Sequence, residues 1–348
     1  MQITTIGLDI AKNVFQVHGI DAAEKVVVRK QLRRGQMMKF FAALPPCLIG
    51  MEACASAHYW ARELTKLGHE VRLMPAKDVK AYVKRNKNDA ADAEAICEAV
   101  GRPRMRLVRA KSAEQQGRLM QHRARDLLLR QQTQVINALR AHMAELGIVA
   151  AQGREGLKQL LKNIADEKDA RLPIDARASL IVLAAQLQAL HTMIGSIERR
   201  IVVQHRANEA SKRLECIHGI GVIGASAITA TVNDPGAFRS GRDFAAWIGL
   251  VPRQDSTGGK QKLGPISKRG DRYLRRILGR GDFRAAAGQA KPGEISVVDA
   301  ASGAATVQGG GHSAGEQDGP HRLGIVGQRQ PLPATACDNV GRGYPIGK

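Results

Sequence analysis

Aromatic residues are scarce in this chain of 348 residues, at 3% of its composition. Stacking platforms for nucleobases should therefore be few, so that any nucleic acid would be held mainly through its backbone. The five cysteines are an odd number and form no Cys-x-x-Cys pair, which disfavours a disulfide framework or a thiolate metal site. The sequence shows no signal peptide and, on our reading, no apolar run long enough to span a bilayer. It predicts a cytoplasmic protein without a membrane partner.

Acidic residues are also outnumbered, since 53 Lys and Arg stand against 32 Asp and Glu, for a net charge of +21. Such a charge indicates a polyanionic partner, and DNA is the one we expect. A histone-like binder would explain the charge but not the ordered α/β pattern of the amino-terminal part. The length allows two or three domains with a buried core.

Apolar and alternating runs predict five strands and three helical segments in the amino-terminal part. The strands are expected at 3–9, 14–20, 25–30, 47–52 and 70–74, and the helices at 35–44, 56–67 and 77–100, the last as one or two helices. The order β-β-β-α-β-α-β-α is that of the ribonuclease H and RuvC (Holliday-resolvase) type of fold. We therefore predict a catalytic α/β domain of this type over residues 1–108.

Four acidic residues carry the main functional prediction. Asp9 and Glu52 each end a predicted strand, while Asp89 and Asp92 stand three residues apart on a predicted helix and so share one face. One such acid alone would be interpreted as a solvent-facing strand end or, for Asp9, as a helix cap. Together they predict a site for Mg²⁺, with two ions serving phosphodiester chemistry.

Other charged residues flank the second acidic pair. Lys84, Arg85 and Lys87 lie just upstream and could neutralise phosphates, although a solvated basic face explains them nearly as well. Glu94 is two residues from Asp92, on another face of the helix, and we expect it to be exposed to solvent.

The second half of the chain has a mainly helical pattern. Leu, Ile and Val recur at three- and four-residue spacing over 112–146 and 176–207, with a polar stretch at 151–173 between them. These segments predict an antiparallel coiled coil within a helical region at 109–210. A plain helical linker and a dimerisation arm are equally open interpretations.

A third unit is expected at 211–278. Gly219 and Gly221 precede a small-residue helix, in a pattern like a helix-hairpin-helix element whose turn presents N–H groups to a phosphate. A glycine- and lysine-rich loop follows, and a basic amphipathic helix is expected to begin near Ile266. The candidate phosphate contacts of this unit are the two glycines together with Arg253, Lys260, Lys268, Arg269 and Arg272.

Ser256 lies in this loop, among cationic residues. A serine hydroxyl can attack a phosphodiester if cations stabilise the developing charge and a base takes its proton. A lone serine in a loop is more often a turn or cap residue. Thr257 and Ser267 are equally plausible nucleophiles from their chemistry, and spacing does not separate the three hydroxyls.

Five segments of the chain are long and distinctive: I-G-L-D-I-A-K-N-V-F at 6–15, K-R-N-K-N-D-A-A-D-A-E-A-I-C at 84–97, S-A-E-Q-Q-G at 112–117, D-P-G-A-F-R-S-G-R-D-F-A-A-W-I-G-L-V-P-R-Q-D-S-T-G-G-K at 234–260, and I-S-K-R-G-D-R-Y-L-R-R at 266–276. They resemble the DEDD-motif transposases of the insertion-sequence 110/1111 family. The resemblance runs nearly continuously to about residue 278. His218 departs from it mildly, because members commonly have Pro before the Gly-x-Gly turn.

The resemblance implies a RuvC-like catalytic domain, a coiled-coil arm and a carboxy-terminal transposase domain. It implies that the four acids bind Mg²⁺ and that Ser256 is the nucleophile that attaches covalently to cut DNA. It also implies recombination of element and target DNA under a structured guide RNA, by a homo-oligomer (a dimer or tetramer) whose sites are shared between subunits. Two alternatives stay open from the residues: a resolvase-like metal-dependent nuclease that uses water, and a non-enzymatic basic nucleic-acid-binding protein.

After Leu278 the composition changes. Residues 279–348 are rich in glycine and poor in aromatics, which predicts a disordered tail. Family members would continue there with apolar helices. We hypothesise that the tail is an out-of-frame translation of those helices, because a shift of one base turns codons for Lys-Val-Ala-Ala into the Gln-Gly-Gly-Gly found at 308–311. Such a copy would lack helices that support the serine domain.

Overall fold

The structure of the chain, a computed structural model, describes residues 2–84 and 88–279. These residues form two compact units that divide between Arg118 and Leu119. The predicted phosphate contacts Arg85 and Lys87, and the tail after Gly279, lie outside the described residues. The division into three domains made from the sequence stays a prediction.

A five-stranded mixed sheet forms the centre of the amino-terminal unit. Its strands are β1 (Thr5–Ile10), β2 (Val14–Ile20), β3 (Val26–Arg33), β4 (Leu48–Glu52) and β5 (Glu70–Met74). They lie in the order β3-β2-β1-β4-β5. The first three pair antiparallel, whereas β4 runs parallel to β1 and β5 parallel to β4. This mixed α/β architecture is consistent with the predicted ribonuclease H-like fold.

Helices pack on both faces of this sheet. They are α1 (Met37–Ala42), α2 (Ala57–Lys66), α3 (Ala76–Val79) and α4 (Asp89–Val100). Because side chains alternate along a strand, Ile6 and Leu8 of β1 enter a core with Phe41 of α1 and Trp60 of α2. Gly7 faces the opposite side, where α4 lies.

Two glycines set how closely α4 approaches the sheet. A Cβ atom added to Gly7 would stand 2.1 Å from the carbonyl oxygen of Ala93 and 2.4 Å from the amide nitrogen of Cys97. A Cβ atom at Gly50 would stand 2.7 Å from Cβ of Val100. The backbone of α4 therefore rests directly on β1, and this contact requires a residue without a side chain at position 7.

Three helices form the first part of the carboxy-terminal unit. They are α5 (Ala113–Glu145, which begins before the division), α6 (Arg154–Ala165) and α7 (Ile174–Arg206). Leu139 of α5, Leu160 and Ile164 of α6, and Leu187 of α7 are buried in one core. The stretch at 151–173, expected to be polar, contains α6, whose Leu160 and Ile164 form an apolar face at helical spacing.

Helix α7 is long and apolar enough, by length and composition alone, to cross a membrane. An 18-residue window of it has a mean hydropathy of 1.6, with 22% of that window buried. The prediction that the chain has no such run was therefore wrong for this helix, which in the described part of the chain is the only one to meet this criterion. One helix is weak evidence for a membrane span, because core helices can have the same composition.

The last part of this unit contains four short helices and a hairpin. The helices are α8 (Glu209–Glu215), α9 (Val222–Thr231), α10 (Gly241–Ile248) and α11 (Arg272–Leu278), and the hairpin strands are β6 (Pro252–Gln254) and β7 (Leu263–Ile266). The helix expected to begin near Ile266 instead begins at Arg272. Asp271 caps it by accepting a hydrogen bond from the Leu274 amide at 2.9 Å.

A buried histidine joins α5 to this last part. His122 is 1% exposed, and its ring nitrogens lie 3.0 Å from the Tyr273 hydroxyl and 3.1 Å from the Ser226 hydroxyl. Burial, followed by the charge of Arg125, lowers the pKa of His122 to about 4. The ring is therefore neutral at pH 7 and connects α5 with both α9 and α11.

We expect Gly7→Ala to destabilise the protein by about 1–3 kcal/mol, because the added methyl group would overpack the contact between β1 and α4. Gly35→Ala is the matched control, since a Cβ atom at Gly35 has no neighbour within 4 Å. Urea unfolding measures both changes. Equal free energies of unfolding for the two variants would contradict the proposed role of this contact.

Candidate active site

Asp9 and Glu52 lie side by side at the carboxyl ends of two parallel strands. Leu8 of β1 pairs with Met51 of β4, and the two acids follow directly in each strand. Asp9 is two residues from Gly7, and Glu52 is two residues from Gly50, so both acids belong to the face of the sheet that α4 covers. Both are partly buried.

Asp89 and Asp92 occupy the first turn of α4. Asn88 caps this helix, and its side-chain oxygen accepts a hydrogen bond from the Ala91 amide at 2.7 Å. Because α4 crosses Gly7 at Ala93 and Cys97, the turn before this crossing lies on the side of Asp9. Asp92 is partly buried and Asp89 is exposed.

The carboxylates of this cluster interact electrostatically. Burial raises the pKa of Asp9 above its ordinary value, and the charges of Asp92 and then Asp89 raise it further. Burial also raises the pKa of Glu52, followed by the charges of Asp9 and Asp92. The structure thus brings the four predicted residues together, and the charges of their neighbours oppose the ionisation of Asp9 and Glu52.

Within residues 2–84 and 88–279, no three acidic, histidine or cysteine side chains are arranged as a ready-made metal cage. Mg²⁺ does not require one, because it retains several waters and is commonly bound through one or two carboxylates and the phosphates of a substrate. The four carboxylates fit a divalent cation for two reasons. Their oxygens are hard ligands, and a positive charge would reduce the repulsion between them.

Glu94 differs from its prediction. It is partly buried rather than fully exposed, and its carboxylate lies 2.6 Å from Nζ of Lys84 and 3.6 Å from a guanidinium nitrogen of Arg29. These cations lower the pKa of Glu94, chiefly through the hydrogen bond from Lys84. Lys84, which sequence analysis assigns to phosphate binding, is thus exposed but already paired with an acid.

Ser256 lies in a β-hairpin of the carboxy-terminal unit, where the sequence predicted a loop. Thr257 and Lys260 bridge across its end, and the two residues between them, Gly258 and Gly259, have φ values of 55° and 77°. Positive φ at both central positions is the requirement of a two-residue hairpin turn, which explains the glycine pair. Ser256 is exposed in the short segment between β6 and this turn.

The three candidate hydroxyls differ in their surroundings. The Ser256 oxygen accepts a hydrogen bond from Nε2 of Gln254 at 3.0 Å and one from the backbone N–H of Lys262 at 3.4 Å. The Ser267 oxygen is shielded from solvent and has no hydrogen-bond partner within the described residues. Thr257 is exposed. The structure therefore favours Ser256 or Thr257 over Ser267 as an accessible nucleophile.

The other predicted phosphate contacts of this unit are also exposed: Gly219, Gly221, Arg253, Lys260, Lys268, Arg269 and Arg272. Gly219 has a φ of 83° in the turn between α8 and α9, and Gly221 precedes α9. Whether this turn is a helix-hairpin-helix element, and whether these residues bind phosphate, stay predictions.

Comparison with known proteins identifies the class. A family model described as transposase, of the DEDD type, matches residues 6–148, which include all four acids. A second model, described as transposase IS116/IS110/IS902 family, matches residues 211–294, which include Ser256 and extend past Leu278. The protein is a transposase, an enzyme that acts on DNA, and the DEDD domain indicates dependence on a divalent metal.

Individual relatives agree with this assignment. The chain is 52% identical over 279 residues to a Pseudomonas aeruginosa protein named "probable family 20 transposase", a match that covers 80% of this chain and 82% of the relative. It is 41% identical to the transposase for insertion sequence element IS1328 of Yersinia enterocolitica (79% and 82% covered). It is 37% identical to the transposase for element IS1111A of Coxiella burnetii (79% and 76% covered). The chain belongs to the IS110/IS116/IS902 family of insertion-sequence transposases.

We expect Glu52→Gln to stabilise the metal-free protein at pH 7. The pKa of Glu52 is raised in the folded state, which means that the fold favours the protonated carboxyl group. The stability contributed by that group is fully present below its unfolded-state pKa, and it is lost as the pH rises through its folded-state pKa. The melting temperature in EDTA should rise by about 2 °C at pH 7, and the difference should vanish near pH 4.

The control for this measurement is Glu167→Gln, which changes an exposed glutamate of the other unit. Added Mg²⁺ should raise the melting temperature of the wild-type protein more than that of Glu52→Gln. A lower melting temperature for Glu52→Gln in EDTA at pH 7 would show that the carboxylates do not repel one another.

Proposed function

We propose that this transposase cleaves and exchanges DNA strands in a Mg²⁺-dependent reaction, with Ser256 as nucleophile and a structured RNA as guide. One observation carries the proposal most. In a chain of net charge +21, burial and the charges of Asp92 and Asp89 raise the pKa of Asp9, and burial and the charges of Asp9 and Asp92 raise the pKa of Glu52. A bound cation would offset this repulsion.

Asp9, Glu52, Asp89 and Asp92 would hold the Mg²⁺, as two ions in our proposal. When bound, the ions supply Lewis-acid stabilisation of charge on a phosphodiester. The protein residues orient this chemistry, because Asp9 and Glu52 are fixed in paired strands. Asp89 and Asp92 are fixed in the capped first turn of α4.

The serine step follows from the exposure of Ser256. Its Oγ atom forms a bond to phosphorus, and the bond between phosphorus and one sugar oxygen breaks. The serine proton passes to solvent water, and the departing sugar oxygen takes a proton from water. A hydroxyl of another strand then attacks the same phosphorus and loses its proton to water. The bond between phosphorus and the serine oxygen breaks, and that oxygen takes a proton from water, which restores the serine and exchanges the strands.

Nucleic-acid binding rests on the basic residues. The net charge and the scarcity of aromatics favour contacts to phosphates over base stacking, for both the DNA ends and the guide RNA. Lys268, Arg269 and Arg272 are exposed at the start of α11, and each is expected to contact a phosphate. Location in the cytoplasm, at the nucleoid, follows from this partner.

The helical arm supports assembly into a homo-oligomer. Leu180, Leu187, Ile194 and Ile201 of α7 recur every seven residues and are buried, the spacing of a coiled coil. On the side of the helix away from this seam, Val182 and Val203 are 67% and 65% exposed. An exposed apolar face on a helix of this length favours a dimerisation arm over a plain linker.

A resolvase-like nuclease that uses water in place of Ser256 is the second candidate. The acidic cluster alone supports it equally well. A purely structural nucleic-acid-binding role does not agree with the match to transposases over about four-fifths of the chain.

We expect Ser256→Ala to abolish a covalent protein–DNA adduct, at least 100-fold below wild type, while DNA binding is retained. The substrate is a labelled duplex of the joined element ends, supplied with RNA transcribed from the element and with Mg²⁺. Asp9→Asn and Asp92→Asn should also abolish the adduct, and Thr257→Val is the matched control at the neighbouring hydroxyl. Cleavage by Ser256→Ala at the wild-type rate would establish the water-using nuclease instead.

We expect Val182→Glu combined with Val203→Glu to shift the oligomer toward monomer, because two charges would enter the apolar face of α7. Sedimentation equilibrium measures the mass, and Gln188→Glu, which adds one such charge at an exposed polar position of the helix, is the control. An unchanged mass for the double variant would exclude this face as the interface.

A further inference from the structure

We propose that Gln254, together with the backbone N–H of Lys262, forms a two-donor cradle that positions and activates the Ser256 hydroxyl. This inference rests on the proposed role of Ser256 and adds a positioning residue to it. Gln254 lies at the end of β6, two residues before Ser256, and its Nε2 atom donates to the serine oxygen at 3.0 Å.

The geometry of the hairpin fixes both donors. Gln254 pairs with Leu263 across the two strands, and the Asp255 amide donates to the Lys262 carbonyl at 2.9 Å. These contacts place the Lys262 N–H 3.4 Å from the Ser256 oxygen. The glycine turn closes the hairpin just beyond Ser256, so the cradle is built from a short, locally determined structure.

The pattern of donors determines where the serine can react. A hydroxyl oxygen has two lone pairs and one hydrogen. With both lone pairs accepting hydrogen bonds from the hairpin, the O–H bond must point away from it. When the proton leaves to solvent, the lone pair that replaces it has the same outward direction and is the one free to attack phosphorus.

The same donors favour ionisation of the hydroxyl. Hydrogen bonds donated to an ionised group stabilise it relative to its neutral form. Gln254 and the Lys262 N–H therefore stabilise the serine alkoxide as it forms. They also stabilise it as it departs in the second step, when the serine–phosphorus bond breaks and a strand hydroxyl forms the new phosphodiester bond. Both formation and release of the covalent adduct should depend on Gln254.

A thiol titration tests the cradle without DNA. In the full-length Ser256→Cys variant, the rate of alkylation of the new thiol by iodoacetamide against pH gives its pKa. We expect Gln254→Ala in this background to raise that pKa by about 0.5 to 1 unit, the equivalent of one net hydrogen bond. Gln261→Ala is the matched control, because Gln261 is an exposed glutamine on the other arm of the hairpin. No shift, or a downward shift, with Gln254→Ala would overturn the proposal.

The covalent reaction gives a second test. With the labelled element-end duplex, RNA transcribed from the element and Mg²⁺, Gln254→Ala should slow single-turnover adduct formation about 10-fold, with unchanged DNA binding. Gln254→Glu should slow it more at pH 8, and less as the pH falls toward 5 and the new carboxyl is protonated to a donor. Wild-type rates and pH profile in both variants would overturn the proposal. If Ser256→Ala still forms the adduct, the proposed serine mechanism fails, while the thiol titration still decides whether the cradle exists.

Discussion

The contact between helix α4 and the central strands is the constraint on which the acidic site depends. Gly7 lets the backbone of α4 rest on β1, and Gly50 leaves room for the Val100 side chain of this helix. Because Asp9 and Glu52 follow these glycines by two residues, they face the same side. The first turn of α4 then brings Asp89 and Asp92 to them. A bulkier residue at position 7 would separate the helix from the sheet and disperse the site.

Bringing these carboxylates together has an electrostatic cost, which the proposed binding of a cation would explain. Partial burial and mutual repulsion raise the pKa of Asp9 and Glu52, so their ionised forms destabilise the metal-free fold at neutral pH. In the proposed function, a bound divalent cation would offset that cost. Ser256 depends on a different structural constraint. It is held by a short hairpin whose glycine turn requires positive φ at two consecutive positions.

Much of this could be predicted from local pattern, and the failures have identifiable causes. Strand β5 has the predicted bounds of residues 70–74, because Gly68 and Pro75 enclose a short segment that contains Val71, Leu73 and Met74. Helix α6 was missed because its charged residues concealed the spacing of Leu160 and Ile164. The hairpin was taken for a loop because its strands are only three and four residues long. The pairing of Glu94 with Lys84 depends on tertiary position, which no local spacing reveals.

Anomalous diffraction from crystals soaked in Mn²⁺ can show whether the four carboxylates form one cation site. Mn²⁺ prefers the same oxygen ligands as Mg²⁺ and gives a signal that locates it without assumptions about ligands. We expect an anomalous peak between the ends of β1 and β4 and the first turn of α4, with Asp9 in its coordination shell. Crystals that bind Mn²⁺ elsewhere on the molecule, with no peak among these four carboxylates, would contradict it.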